Sequence, residues 1–227
     1  MKVNLLAILF LMLSILANAQ DKGGLTKAET VNYINKKLAE TVGHYKTNLN
    51  RDGTKGDKNY YWAHSISLSG DKIQVSRNRS NYIREKIRNM ETVSHQGRNY
   101  SLYPCNYYED LLVQDFNPMH IISVELLKDP VSGEPIGSLK LNLKANTAQS
   151  RTVYTSPNYQ FPDGTNAIKY EYWGKCYGSK EGEPLLASVN FIYINFLAAD
   201  PDNFVKLKKA FEYLRDLYKA EDDPFAN

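Results

Sequence analysis

Ala28, Val31, Ile34, Leu38, Val42 and Tyr45 recur three and four positions apart, the period of a helix that buries one stripe, while Lys36, Lys37 and Glu40 fall outside it. Thr26 and Glu29 stand at the spacing of a capping box, in which a hydroxyl and a carboxylate satisfy free backbone amides reciprocally. A helix is therefore expected from there to near Asn48. Asn50 to Asn59 holds no apolar residue and reads as a solvated loop. The period then changes to two. Tyr60, Trp62, His64, Ile66 and Leu68 share one parity, Ala63, Ser65, Ser67 and Ser69 the other. Ser69-Gly70-Asp71-Lys72 supplies a turn before Ile73 and Val75, so residues 60 to 77 predict a hairpin.

A second hairpin is expected where Ile122, Val124 and Leu126 alternate, a turn-rich stretch from Asp129 to Pro135 intervenes, and Leu139, Leu141 and Leu143 alternate again. Further strands are expected at Arg151 to Thr155, Ile168 to Trp173 and Ser188 to Leu197. The last is apolar on both parities, as in a central strand covered on two sides. Asp200-Pro201 then has the grammar of a helix start, and Phe204, Leu207, Phe211, Leu214 and Tyr218 form the stripe of a closing helix. Helix, a run of hairpin-linked strands and helix predict an α+β fold: an antiparallel β-barrel or sandwich with an N-terminal helix and a C-terminal capping helix. That order is similar to a PH-like barrel, a bent antiparallel sheet capped by a final helix, from which the N-terminal helix departs.

The first residues do not belong to this pattern. Lys2, the apolar block Leu5 to Leu16 and Ala17-Asn18-Ala19 read as a secretory signal peptide over residues 1–19, leaving residues 20–227 as one domain, periplasmic or secreted, with no transmembrane segment. Gln20 rather than a cysteine would follow the cut, which disfavours a lipid anchor. Of the full chain's 28 basic residues only Lys2 lies in the leader, and 25 acidic residues oppose the rest, so the exported part is nearly neutral. Nucleic-acid binding, which needs a basic field, is excluded on that ground and by compartment. Cys105 and Cys176 are the only cysteines. In an oxidising compartment two readings stand side by side: a disulfide closing a long loop, contributing about 4 kcal/mol in the chain-entropy picture, or two separately buried thiols.

No catalytic residue, metal ligand or cofactor is expected from the motifs: there is no nucleophile elbow, Walker loop or dinucleotide fingerprint. His44, His64, His95 and His120 are scattered; His64 reads as a hydrogen-bonded core imidazole and His120 as a turn residue. Asn48, Asn50, Asp52 and Gly53 resemble the first half of a calcium loop, but Asn59 stands where a bidentate glutamate is required, so an Asx-rich turn is the better reading. The most suggestive stretch runs from Arg77 to Tyr103. There Arg77, Arg79, Arg84, Lys86, Arg88 and Arg98 are interleaved with Tyr82, Tyr100 and Tyr103, a composition suited to a polyanion, an acidic glycan or a lipid headgroup. The plainer alternative is a solvated strand or helix edge, within which Glu85 and Glu91 also lie. The 17 tyrosines suit either a carbohydrate groove or simply pleated strands. Tyr60-Tyr61 and Tyr107-Tyr108 must point to opposite faces if extended.

Phe191-Ile192-Tyr193-Ile194-Asn195-Phe196, Lys208-Lys209-Ala210-Phe211-Glu212-Tyr213-Leu214 and Asp223-Pro224-Phe225 resemble a run in secreted proteins of Bacteroidetes-type bacteria. Leu68-Ser69-Gly70-Asp71 and Asn117-Pro118-Met119-His120-Ile121-Ile122-Ser123 are similar to segments of the same group. The resemblance implies a bacterial periplasmic or secreted setting and transfers no reaction or site residue. The function expected is a non-enzymatic binding or interaction module whose partner is a protein or envelope component; the alternative is a small exported hydrolase acting on envelope glycan, peptide or ester.

Overall fold

A computed structural model describes residues 24–88, 92–104, 106–128, 131, 133–157, 175–177 and 179–222. Helix α1, Lys27–Ala39, begins at the capping box: the Thr26 hydroxyl accepts from the Glu29 amide at 3.2 Å, and the Glu29 carboxylate accepts from the Thr26 amide at 2.8 Å. The helix is shorter than its apolar stripe predicts. Gly43 takes a left-handed φ of 83°, the chain turns, and Tyr45 opens a strand instead.

In chain order the strands are β1 Tyr45–Leu49, β2 Lys55–Ser69, β3 Lys72–Ser80, β4 Thr92–His95, β5 Arg98–Pro104, β6 Glu109–Phe116, β7 Ile121–Leu127, β8 Ile136–Leu143, β9 Ala148–Pro157, β10 Lys175–Tyr177, β11 Ser179–Glu181, β12 Leu185–Val189 and β13 Phe191–Leu197. Short helix α2, Arg84–Arg88, lies between β3 and β4, and α3, Asn203–Asp222, closes the fold. The large sheet runs β1-β2-β3-β6-β9-β11, with β12 also paired to β9; β13-β8-β7 and β10-β5-β4 form two smaller sheets. Every pairing is antiparallel, as the hairpin reading requires. The α+β class stands.

The expected closed barrel is not found among the described residues, because the large sheet ends openly at β1 on one side and at β11 and β12 on the other. The stretch Ser188 to Leu197, expected as one central strand, is divided between two sheets. It breaks at Asn190 into β12 on the large sheet and β13 at the edge of a small one. The Asn190 carbonyl accepts from Leu143 N of β8 at 2.8 Å and its side chain accepts from Asn146 N, just ahead of β9, at 3.0 Å, so this residue bridges the place where the chain passes from one sheet to the other. The strand expected at Ile168 to Trp173 lies outside the described residues.

Two further expectations shift. The loop after Asn50 is shorter than its polarity suggests, since β2 starts at Lys55 and pairs with β1. In β7, a bulge between Ile121 and Ser123 swaps parity, burying Ile121 and leaving Ile122 62% exposed.

One apolar core joins both long helices to the sheets. Ile34 and Leu38 of α1 and Leu207, Phe211 and Leu214 of α3 meet Ile66, Ile73, Val75 and Phe116 of the large sheet and Leu139, Leu141, Ile192 and Ile194 of the β13-β8-β7 sheet. Among the described residues no helix is long and apolar enough to cross a membrane. Phe211 is fully buried at the centre of this cluster. Phe211→Ala is expected to lower stability by about 3–5 kcal/mol, the range for emptying a buried aromatic site, read as a lower urea midpoint with unchanged slope.

Candidate functional site

An extra residue in β2 sets the two faces at one end of the large sheet, where the candidate residues lie. Tyr61 pairs with Arg79 and Ala63 with Asn78, leaving Trp62 as a bulge; beyond it His64 pairs with Arg77 and Ile66 with Val75. Tyr61 and His64 therefore lie on the same face as Arg77 and Arg79, the face that carries the core, while Tyr60 stays with Ser80 on the other. The even-parity face expected from Tyr60 to Leu68 thus breaks at Trp62. One end of the sheet then presents a charged inner face and an aromatic outer face.

On the inner face, Arg79 pairs across strands with Asp110 of β6, and its Nε donates to Asp110 Oδ2 at 2.7 Å. Arg77, on the same face of β3, reaches Asp110 Oδ1 only at 3.8 Å and donates to Asn195 Oδ1 of β13 at 3.4 Å. Asn195 in turn donates to Ser138 Oγ at 2.8 Å, to which Lys46 also donates, at 2.7 Å. Arg77 Nε, Asp110 Oδ1, the Tyr61 hydroxyl, His64 Nε2 and Gln114 Oε1 are buried without hydrogen-bond partners. Burial, and then the neighbouring Arg79 charge, lower the Arg77 pKa; burial raises that of Tyr61. At the margin of the cluster Tyr108 and Tyr154 pack with ring centroids 5.4 Å apart, and burial followed by the Asp110 charge raises the Tyr108 pKa.

His64 is the buried imidazole expected, and its tautomer follows from its neighbour. The Thr41 hydroxyl gives its one proton to the Leu38 carbonyl at 2.6 Å, so toward His64 Nδ1, 3.4 Å away, it acts only as acceptor. The ring proton is on Nδ1 and Nε2 is a bare acceptor. Burial, and then Arg77, push the His64 pKa down to about 3. A hydroxyl that gives its proton to a carbonyl and faces a ring N–H does not make a nucleophile–base pair with that ring.

On the outer face the aromatics gather. Trp62 stacks on Tyr107 with centroids 6.5 Å apart, Tyr103 and Tyr82 pack on Tyr107 at 5.2 and 6.4 Å, and Trp62 Nε1 donates to the Tyr82 carbonyl at 3.0 Å. Tyr107 donates a short hydrogen bond to Glu109, and its pKa is raised by burial and then by that bond. The Tyr82 hydroxyl donates to Asn106 Oδ1 at 2.7 Å, and Asn81 bridges the same loop, donating to the Asn106 carbonyl at 2.6 Å and accepting from Tyr108 N at 2.8 Å. Two clefts open here. One, about 260 Å³, is lined by Tyr60, Trp62, Ile83, Arg84 and Glu85 among others; the second, about 280 Å³, shares Tyr60 and Ile83 and adds Lys58, Asn81, Tyr82 and Lys86. The Arg84 guanidinium stands 5.9 Å from the Trp62 ring centroid.

The basic stretch thus divides. Arg77 and Arg79 turn inward, Arg84 and Lys86 line the two outer clefts, and Arg98 is exposed on β5, in a different sheet; Arg88 lies in α2 with its side chain outside the described residues. Each tyrosine pair splits between buried and more exposed members: Tyr61 is buried on the inner face and Tyr60 is not, and ahead of β6 Tyr107 is buried while Tyr108 is 37% exposed. Asp110 and Asn195 gave no sequence signal, and Tyr61 was hidden by the bulge. The calcium-like loop is an Asx turn: Asp52 accepts from both the amide and the hydroxyl of Thr54, at 2.9 and 2.6 Å. His120 ends a short 3-10 turn capped by Asn117. Cys176 is buried on β10 opposite Tyr103, while Cys105 lies outside the described residues. No known protein family, curated protein or solved structure matches the chain.

A neutral buried histidine has a definite pH signature. Its folded pKa lies below the unfolded value, so the unfolded chain takes up a proton first as pH falls, and stability is lost between about pH 6.5 and pH 3. His64→Gln should flatten that loss by up to about 1.4 kcal/mol per pH unit, measured as wild type minus variant in urea titrations across that range.

Proposed function

We propose that the protein is an exported, non-enzymatic binding module, and that its ligand is a saccharide of the cell envelope carrying acidic groups, held at the outer aromatic corner. The observation that carries this reading is the pair of adjoining clefts on one rigid sheet end. Trp62, backed by the buried Tyr107, and Tyr60 and Tyr82 offer apolar ring surface to sugar rings, and the Asn81 and Asn106 amides and the Tyr82 hydroxyl offer donors and acceptors to sugar hydroxyls. Lys58, Arg84 and Lys86 outnumber Asp57 and Glu85 along the two clefts, which favours an acidic over a neutral sugar by a modest margin. The leader and the resemblance to secreted bacterial proteins support the compartment.

The same reading includes a Cys105–Cys176 bridge, favoured by the oxidising compartment and by the place of Cys176 opposite Tyr103, beside the aromatic cluster. Thiol titration of the unfolded, unreduced protein should find no free thiol; two titrating thiols would remove the bridge and leave the binding site standing.

Affinity electrophoresis tests the ligand. Migration should be retarded by a polyuronate gel and less by a neutral glucan. Trp62→Ala should weaken retention about tenfold, the effect of losing on the order of 1.4 kcal/mol. Arg84→Ala with Lys86→Ala should weaken it severalfold and reduce its dependence on salt. Unaltered migration in polyuronate, sulfated and neutral gels alike would overturn the proposal.

A further inference from the structure

The two long helices run antiparallel over the core. Lys27 at the start of α1 pairs with Glu221 near the end of α3, and Lys37 of α1 comes within 3.8 Å of Asp200, just ahead of α3. Ile34 and Leu38 turn into the core with Leu207, Phe211 and Leu214, and on the solvent side of that seam the helices part. Lys206, Lys209, Ala210 and Tyr213 stand at the three- and four-residue spacing of one stripe. With Thr30 and Tyr33 of α1 they line a groove of about 440 Å³, larger than either cleft at the aromatic corner. Ala210 leaves the room, since a longer side chain at that position would enter the trough. Leu25, 49% exposed, forms a lip, placed by the Tyr213 hydroxyl, which donates to the Leu25 carbonyl at 2.9 Å.

Most polar groups of the lining are satisfied within the fold. The Thr30 hydroxyl donates to the Thr26 carbonyl at 2.9 Å, Tyr213 is held by Leu25, and Lys206 donates to Asp200 at 3.0 Å with Asp202 at 3.8 Å. The exceptions are the exposed Lys209 ammonium and the Tyr33 hydroxyl, for which the described residues supply no hydrogen-bond or ion-pair partner. Neighbouring acids are engaged elsewhere: Glu29 closes the capping box, and Glu212 lies 3.9 Å from Lys208. A sugar or a peptide needs a series of donors and acceptors, whereas this groove offers two free donors, one of them charged, and otherwise carbon. Its complement is a small molecule with an apolar body and one anionic end.

We propose that the groove binds a fatty acid. The carboxylate meets Lys209 and the Tyr33 hydroxyl, and the alkyl chain lies over Ala210 and along Tyr213 to Leu25. This site belongs to the helical side of the fold and is independent of the saccharide reading of the aromatic corner.

Equilibrium dialysis of radiolabelled decanoate against the purified protein, at pH 7 and below the micelle-forming concentration, tests this. One saturable site per chain is expected. Unlabelled decanol should compete more weakly than unlabelled decanoate, and decyltrimethylammonium, with the same chain and the opposite charge, should not compete. Lys209→Ala should weaken decanoate about fivefold, the upper range for a solvent-exposed ion pair, and remove its advantage over decanol, a change that a merely structural lysine would not produce. Ala210→Leu fills the trough and should abolish binding, whereas Trp62→Ala should leave it unchanged. Absence of saturable binding, displacement by decyltrimethylammonium as readily as by decanoate, or an affinity unchanged in Lys209→Ala or in Ala210→Leu would each overturn the proposal.

Discussion

A single inserted residue organises one end of the large sheet. Trp62 gives β2 one residue more than β3 can pair, and the excess rotates the strand so that Tyr61 and His64 are both sent inward. Strict alternation would have placed only one of them there. The inner cluster needs both, and the outer corner needs the displaced indole, which stacks on Tyr107. Neither face could hold its set of side chains without the mismatch in the ladder.

The two ends of the inner face are also energetically opposed. At one end of the sheet Ile66, Ile73, Val75 and Phe116 meet the helices in an apolar layer; two residues further along β3 the same face carries Arg77 and then Arg79. Burying guanidinium groups beside an apolar layer costs desolvation that one carboxylate only partly offsets. Such a concentration of unpaired polar atoms inside the fold is a local cost to stability rather than a contribution to it.

Periodicity made much of this architecture legible. The capping box at Thr26, the β2–β3 hairpin turn, the Leu139, Leu141 and Leu143 face and the Leu207 to Tyr218 stripe all read directly, because each is a local pattern set by backbone geometry. What failed was non-local or aperiodic. The bulges at Trp62 and after Ile121 leave the composition of a strand untouched while inverting its faces. The break at Asn190 sits inside an unbroken run of strand-favouring residues, where only two separate sheets competing for the chain could reveal it. In the candidate site, the basic stretch pointed to the right region, but linear order could not say that Arg77 and Arg84 would stand on opposite sides of a sheet. Asp110, distant in sequence and surrounded by ordinary strand residues, could be found only by pairing β3 with β6.

The division at Asn190 also sets an order of events as the chain is made. β7 and β8 can close as a local hairpin, but the second edge of β8 is covered only by β13, whose Ile194 sits opposite Leu139. Until the residues near the end of the chain have emerged, that edge stays unpaired and able to join a foreign strand. A nascent chain of this topology is poorly suited to folding piece by piece, because its β7–β8 hairpin is complete as a sheet only once β13 is available.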